Sequence, residues 1–349
     1  MQNEQMTVPP FERRDLNKID IFRPVSLPKS PDEKGDLHIH LNGAVPARTV
    51  LQILAEEGTD IMPGFNPEQD LVRRSPCSSL GEYLRPWELL RRLPKRKENL
   101  QRLVSSAVGE LYSQGLRFVE LRSSVLYLAS LQGCSSTEAL HHLIACIDHA
   151  TKPYGMQWGL IMTVTRGDYS AVQLDSLLSS YNSLGRPKEI VGIDLAGNED
   201  IPYPIDLPRL FRKAKDDFGL GVTIHAGETG RSENVRTAVE LFAADRIGHG
   251  TAARGDPWLM EFLANQDICV EVCPISNRLT GALPPEIAHP LCDFYEHGVP
   301  FVICSDNPAI HERGLIEDHK AAVAEGLPAS AIVEQYATAK RYSFIRGLS

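Results

Sequence analysis

The stretch Asp36-Leu37-His38-Ile39-His40 ends an apolar run with two histidines at i, i+2. On a strand that spacing aims both imidazoles to one side, and two neutral imidazoles converging on one place suit a divalent metal. A lone His-x-His pair is more often a surface or packing feature. Here three further polar clusters each follow a short β-branched run: His225-Ala226-Gly227-Glu228, Gly248-His249-Gly250 and Ser305-Asp306-Asn307. His38, His40, His225 and Asp306 form a three-nitrogen, one-oxygen set that suits Zn²⁺ with a position open to water. A bound Zn²⁺ lowers the pKa of its water from about 15.7 to roughly 7, giving a nucleophile at neutral pH. Glu228, in the loop after His225, is placed to shuttle a proton as general acid/base. His249 is placed to hydrogen-bond the activated water and stabilise developing negative charge. A core histidine in a Gly-His-Gly turn is the bland alternative, but flanking glycines permit close backbone approach to a site.

Eight short runs could carry these groups: Asp36–His40, Phe118–Arg122, Leu160–Thr165, Val191–Leu195, Val222–His225, Arg246–His249, Cys269–Cys273 and Phe301–Cys304. They are brief and rich in Val, Ile, Leu or Phe, as parallel strands covered on both faces tend to be. Helical spacing fills the gaps, as over Leu100–Gln114, Leu140–Ala150 and Asn234–Ala243. The alternation predicts an α/β chain folded as a (β/α)8 TIM barrel. Chemistry in that fold belongs at the C-terminal ends of strands, where His38, His40, Asp194, His225, His249 and Asp306 all fall. The segment from Val45 to Gly115 is longer than one βα unit needs. It predicts a helical insertion after strand 1, with Tyr83, Leu84, Trp87 and Leu90 either packing or capping the barrel mouth. Its basic residues, Arg85, Arg91, Arg92, Lys95, Arg96 and Lys97, read as a solvated face.

The 349 residues carry a formal net charge of -9, which disfavours a nucleic-acid polymer as partner. Seven cysteines with no Cys-x-x-Cys pair read as thiols in a reducing compartment, and a cytoplasmic location is expected. No secretory signal or membrane-spanning run is visible. Residues 1–34, polar and proline-bearing, are expected to form an extended arm, and residues 35–349 a single barrel domain. The oligomeric state is not encoded in any feature of the sequence.

The joint motif set His38-x-His40-Leu-Asn-Gly, Ile193-Asp194-Leu-Ala-Gly197, His225-Ala-Gly-Glu228, Arg246-Ile-Gly-His249-Gly, Val272-Cys-Pro-Ile-Ser276-Asn and Ser305-Asp306 resembles the adenosine/AMP deaminase family of metal-dependent amidohydrolases. The resemblance runs from about Gly35 to the C-terminus. It implies one Zn²⁺ per chain on His38, His40, His225 and Asp306, and hydrolysis of the 6-amino group of a purine nucleoside or nucleotide. It further implies that Glu228 protonates ring N1, that the Gly197 N–H meets ring N3 and that His249 orients the attacking oxygen. Asp194 is counted with the substrate-binding residues. Two positions depart from the pattern. Asn307 stands where the family usually has an Asp contacting N7, and an amide can donate there without a proton from solvent. Asn42 stands where adenosine deaminases carry Asp. His-x-His-Leu-Asn-Gly with Gly197-Asn198 is similar to the branch acting on N6-methyl-AMP, where a neutral amide tolerates a 5′-phosphate that a carboxylate would repel. His225-Ala-Gly-Glu228 and His249-Gly250 are similar to the adenosine branch, which places the implied substrate between adenosine-type nucleosides and their 5′-monophosphates. An amidohydrolase of another C–N bond, or a non-catalytic nucleoside binder, are the alternatives. Fe²⁺, Co²⁺ or Mn²⁺ would suit the same ligands.

Overall fold

Strands and helices alternate along the computed structural model, which describes Ile21, Val25, Leu27 and residues 33–348. The eight strands are β1 (Lys34–His40), β2 (Leu116–Ser123), β3 (Gln157–Thr165), β4 (Ile190–Ala196), β5 (Gly221–Ala226), β6 (Arg246–His249), β7 (Cys269–Val272) and β8 (Phe301–Ile303). They pair in parallel, each with the next. A bridge between Ile39 and Asp306 joins the last strand's end to the first, with the His40 N–H donating to Asp306 O and the Asp306 N–H to His38 O. This is the (β/α)8 barrel expected from the eight apolar runs.

The predicted helices occur as Lys97–Ser113, Ser136–Thr151 and Ser232–Glu240. The second starts where its sequence says it should: Ser135 and Glu138 bond each other's backbone N–H in a capping box. Between β1 and β2 the chain forms short helices at Ala47–Glu57, Pro67–Asp70, Leu80–Tyr83 and Arg85–Leu90. The last two lie over the C-terminal mouth. The arm expected over residues 1–34 lies almost wholly outside the described residues. Of it, Ile21 packs in an apolar cluster with Tyr83, Ile275 and Leu279.

The outward faces of the strands are apolar, but the inside of the barrel is not. Glu120 and Arg122 of β2, Asp194 of β4, Thr223 of β5, Arg246 of β6 and Glu271 of β7 are all buried. Arg122 pairs with Glu271 and, at 3.3 Å, with Asp194. Arg246 pairs with Glu271 at 2.7 Å and Glu120 at 2.5 Å. Such layers are usually filled by Val, Ile and Leu. Removing one partner of a buried pair typically costs about 3–5 kcal/mol because the other charge is stranded. The N-terminal mouth is closed by the tail. Phe344 lies under Arg246, 3.7 Å from guanidinium to ring, while its N–H and Ser343 Oγ donate to Glu120 Oε1. Gly221 makes room, since a Cβ there would stand 2.4 Å from the Phe344 ring.

Candidate active site

Seven groups from four strand ends surround the C-terminal mouth. His38 and His40 come from β1, His225 from β5, and Glu228 from the turn after it. His249 ends β6, and Asp306 and Asn307 follow β8. His249 and Asp306 both hold left-handed backbone, at φ 68° and 58°. Non-glycine residues rarely accept that conformation, and its cost is characteristic of functional positions.

Four donor atoms face one another. His40 Nε2 is 3.2 Å from His225 Nε2 and 3.4 Å from Asp306 Oδ1, and His38 Nε2 is 3.5 Å from the same oxygen. Ligands about 2.0–2.1 Å from one tetrahedral cation lie roughly 3.3 Å apart, and these three contacts have that spacing. His38, His40 and His225 form one group of potential ligands, and Asp306 groups with His38 and His249. His38 Nε2 and Asp306 Oδ1 are buried without a hydrogen-bond partner among the described residues, an arrangement a bound cation would satisfy. Burial holds His40 down to about 3 and His38 and His225 well below the usual imidazole range. All three are therefore neutral, the form that ligates. Burial also pushes Asp306 up to about 7, and a cation at its Oδ1 favours the carboxylate.

A second layer aims these ligands. His38 Nδ1 lies 2.7 Å from Glu271 Oε2, and His225 Nδ1 lies 2.9 Å from Asp194 Oδ1. A carboxylate accepting from Nδ1–H keeps the proton on that nitrogen and leaves the Nε2 lone pair free to ligate. Ser276 Oγ donates to Asp306 Oδ2 at 2.6 Å. Asp36 accepts from the Ser305 N–H and hydroxyl, and from the His38 N–H, tying β8 to β1.

Asp194 is thus not where a substrate-binding residue belongs. It is fully buried behind His225 and does not line the cavity, because its side chain points into the barrel two residues before β4 ends. Its contacts fit orientation of His225 instead.

Glu228 Oε2 stands 3.6 Å from His249 Nε2. Burial, then the nearby Glu199 and Asp306 carboxylates, hold the Glu228 carboxyl well above its usual range, so it carries a proton to give. Glu199 also builds the turn. It accepts from the Gly227 N–H at 2.8 Å, the Glu228 N–H at 2.7 Å and Asn234 Nδ2 at 2.8 Å. Arg166 grips the end of β5 by donating to His225 O at 2.6 Å. Replacing Glu199 with Ala leaves three donors without their acceptor, and a stranded buried donor costs about 1–3 kcal/mol. We expect a roughly five- to hundredfold fall in kcat with metal content unchanged, measured by steady-state kinetics beside metal analysis.

The cavity in front is lined by His40, Asn42, Gly197, His225, Glu228, His249, Asp306 and Asn307. Leu80, Tyr83, Leu84 and Trp87 of the insertion roof it, so the capping reading holds for these residues; Leu90, expected with them, is buried beneath. Asn307 Nδ2 donates to Tyr83 Oη at 3.0 Å, and Asn42 Nδ2 to Leu90 O at 3.4 Å, so both departing amides are tied to the roof. Beyond the polar end the wall is apolar, with Leu93, Pro94, Leu100, Tyr127, Leu128 and Leu131. Of the basic residues read as a solvated face, Arg91 lines the cavity. Arg92, Lys95, Arg96 and Lys97 are exposed.

Sequence reading passed over Glu271, Arg122, Glu199, Asn277 and His289. A charged residue in the middle of an apolar strand, as in Cys269-Val-Glu271-Val, was the available signal. All seven cysteines are free thiols, and no described helix is long and apolar enough to cross a membrane.

Residues 33–346 match the family model for adenosine deaminase. The chain is 29% identical over 326 residues to an adenosine deaminase from Clostridium acetobutylicum, covering 87% of this chain and 94% of the relative. It is 30% identical over 289 residues to one from Clostridium botulinum, covering 82% and 86%. Among solved structures, an amidohydrolase from Burkhoderia ambifaria with bound Zn superposes with a TM-score of 0.80 at 21% identity, covering 93% of this chain and 91% of that one. An N6-mAMP deaminase from Arabidopsis gives 0.76 at 22% identity, covering 92% and 95%.

Proposed function

Since this chain belongs to the adenosine deaminase family, we propose that it is a zinc-dependent hydrolase that removes the 6-amino group of an adenosine-type purine nucleoside or its 5′-monophosphate. The observation that carries the reading is the convergence of four potential ligand atoms beside the buried Glu228, whose carboxyl burial and nearby carboxylates favour in its acid form, at one end of a roofed cavity. His38, His40, His225 and Asp306 would hold one Zn²⁺, which when bound lowers the pKa of a water and supplies a nucleophile at neutral pH.

The remaining work falls to side chains and backbone. Glu228 delivers its proton to ring N1, which makes C6 electrophilic and gives the electrons of the ring a place to go. His249 presents an N–H to the attacking oxygen and stabilises charge there. The Gly197 N–H meets ring N3, and the second amide N–H of Asn307 meets N7. The roof of Leu80, Tyr83, Leu84 and Trp87 excludes bulk water and strengthens each of these contacts. Water adds at C6, the exocyclic C–N bond breaks, and the products are the 6-oxopurine and ammonia.

Asn42 bears on the other end of the substrate. Its neutral amide leaves room for a phosphate dianion that a carboxylate would repel. Solved structures with the same fold contain IMP or GMP, which supports a nucleotide among the candidates. The test is kcat/KM for adenosine, AMP, N6-methyl-AMP and adenine on zinc-loaded protein, with ammonia release as the readout. Turnover of at least one with a matching 6-oxo product is expected. Inertness across the panel would return the chain to the alternatives of a different amidohydrolase or a binder.

A further inference from the structure

Two buried residues outside the cavity, Asn277 and His289, reach His249 through a chain of hydrogen bonds. The chain of contacts begins at a donor whose direction is not in doubt. The Leu291 backbone N–H donates to His289 Nδ1 at 3.2 Å. That nitrogen must therefore be bare, and the proton of a neutral His289 sits on Nε2. Burial keeps His289 neutral, at about 3. His289 Nε2 lies 3.1 Å from Asn277 Oδ1, so the Asn277 oxygen accepts and its Nδ2 faces the other way. Asn277 Nδ2 then donates to His249 Nδ1 at 3.0 Å. With Nδ1 accepting, the His249 proton must be on Nε2, the nitrogen nearest Glu228 Oε2.

We infer that Asn277 and His289 are positioning residues that fix His249 as an Nε2–H donor toward the reacting centre. The fold holds the relay firmly: His249, Asn277 and His289 are 2%, 0% and 3% exposed. Arg278, next to Asn277, donates to the carbonyls of Leu283, Pro284 and Ile287 and pairs with Glu325. It thereby pins the loop that brings His289 into place. The role of His249 in the reaction rests on the deaminase reading, whereas its tautomer does not.

The test uses full-length, zinc-loaded protein labelled with ¹⁵N-histidine, His249 being assigned from its missing signals in H249N. In the wild type, Nε2 of His249 should resonate as a protonated nitrogen and Nδ1 as a bare one. Asn277→Asp offers an acceptor to both histidines and should move the His249 proton to Nδ1. A misplaced tautomer can cost up to about 10⁴-fold in kcat; here at least about a tenfold loss is expected, with KM little changed. His289→Ala should lower kcat, and His289→Gln, which restores an N–H donor to Asn277, should recover most of it. A wild-type His249 protonated on Nδ1 overturns the inference, as does an N277D variant with unchanged ¹⁵N pattern. If the expected tautomer appears in a protein that deaminates nothing, the inference stands and the deaminase reading fails.

Discussion

Glu228→Gln should lower kcat by about 10²–10⁴-fold, the usual worth of a positioned general acid/base, while the metal stays bound. Gln keeps the size and the hydrogen-bonding reach of the side chain but has no proton to pass to the ring. The pH dependence follows from the direction of the shift. Burial and two neighbouring carboxylates raise the Glu228 pKa, so the acid form is present at neutral pH and is lost as pH rises through the raised value. The kcat/KM profile of the wild type should fall on its alkaline side, and the residual activity of E228Q should lack that limb. Substrate KM should move little, because the carboxyl acts on the transition state rather than in ground-state binding. An E228Q enzyme within about threefold of wild type in kcat would remove Glu228 from the chemistry.

Deleting a ligand should have an equally large effect by a different route. His225→Ala and Asp306→Ala each remove one of four donors, and metal content should drop from near one per chain toward zero on gel-filtered protein. Activity should fall to background. The wild type should behave likewise after chelation and recover on adding Zn²⁺. Metal bound only by the folded chain adds about 4 kcal/mol of stability at roughly 1,000-fold excess over Kd, so the Tm of the wild type should fall on chelation and that of the variants should not respond. Full activity with no metal present would defeat the cage.

The parts of this site that could be read from the sequence share one property. His38, His40, His225 and Asp306 are unusual at the ends of apolar runs, and their residue types name their chemistry. The eight strands were legible for a related reason: parallel strands covered by helices need Val, Ile and Leu on their outer faces. What the sequence hid depends on distance along the chain. Glu271 orients His38 from β7, one strand beyond the β8 that closes onto β1, and that meeting of residues far apart in sequence follows only from closure of the barrel. The place of Asp194 near a strand end predicts a substrate contact, but the pleat turns it inward onto His225. His289 reaches His249 only through Asn277, and nothing local marks an Asn in a Pro-Ile-Ser-Asn stretch as a spacer between two imidazoles.

The bridge between Ile39 and Asp306 has a consequence for biosynthesis. A ribosome delivers three of the four donors well before the aspartate, and that aspartate also seals the first stave of the ring to the last. A growing chain therefore has no full coordination sphere to offer. On the proposed ligand set, ion capture and ring closure would become one late event, and an ion met earlier could be held only by an incomplete grip.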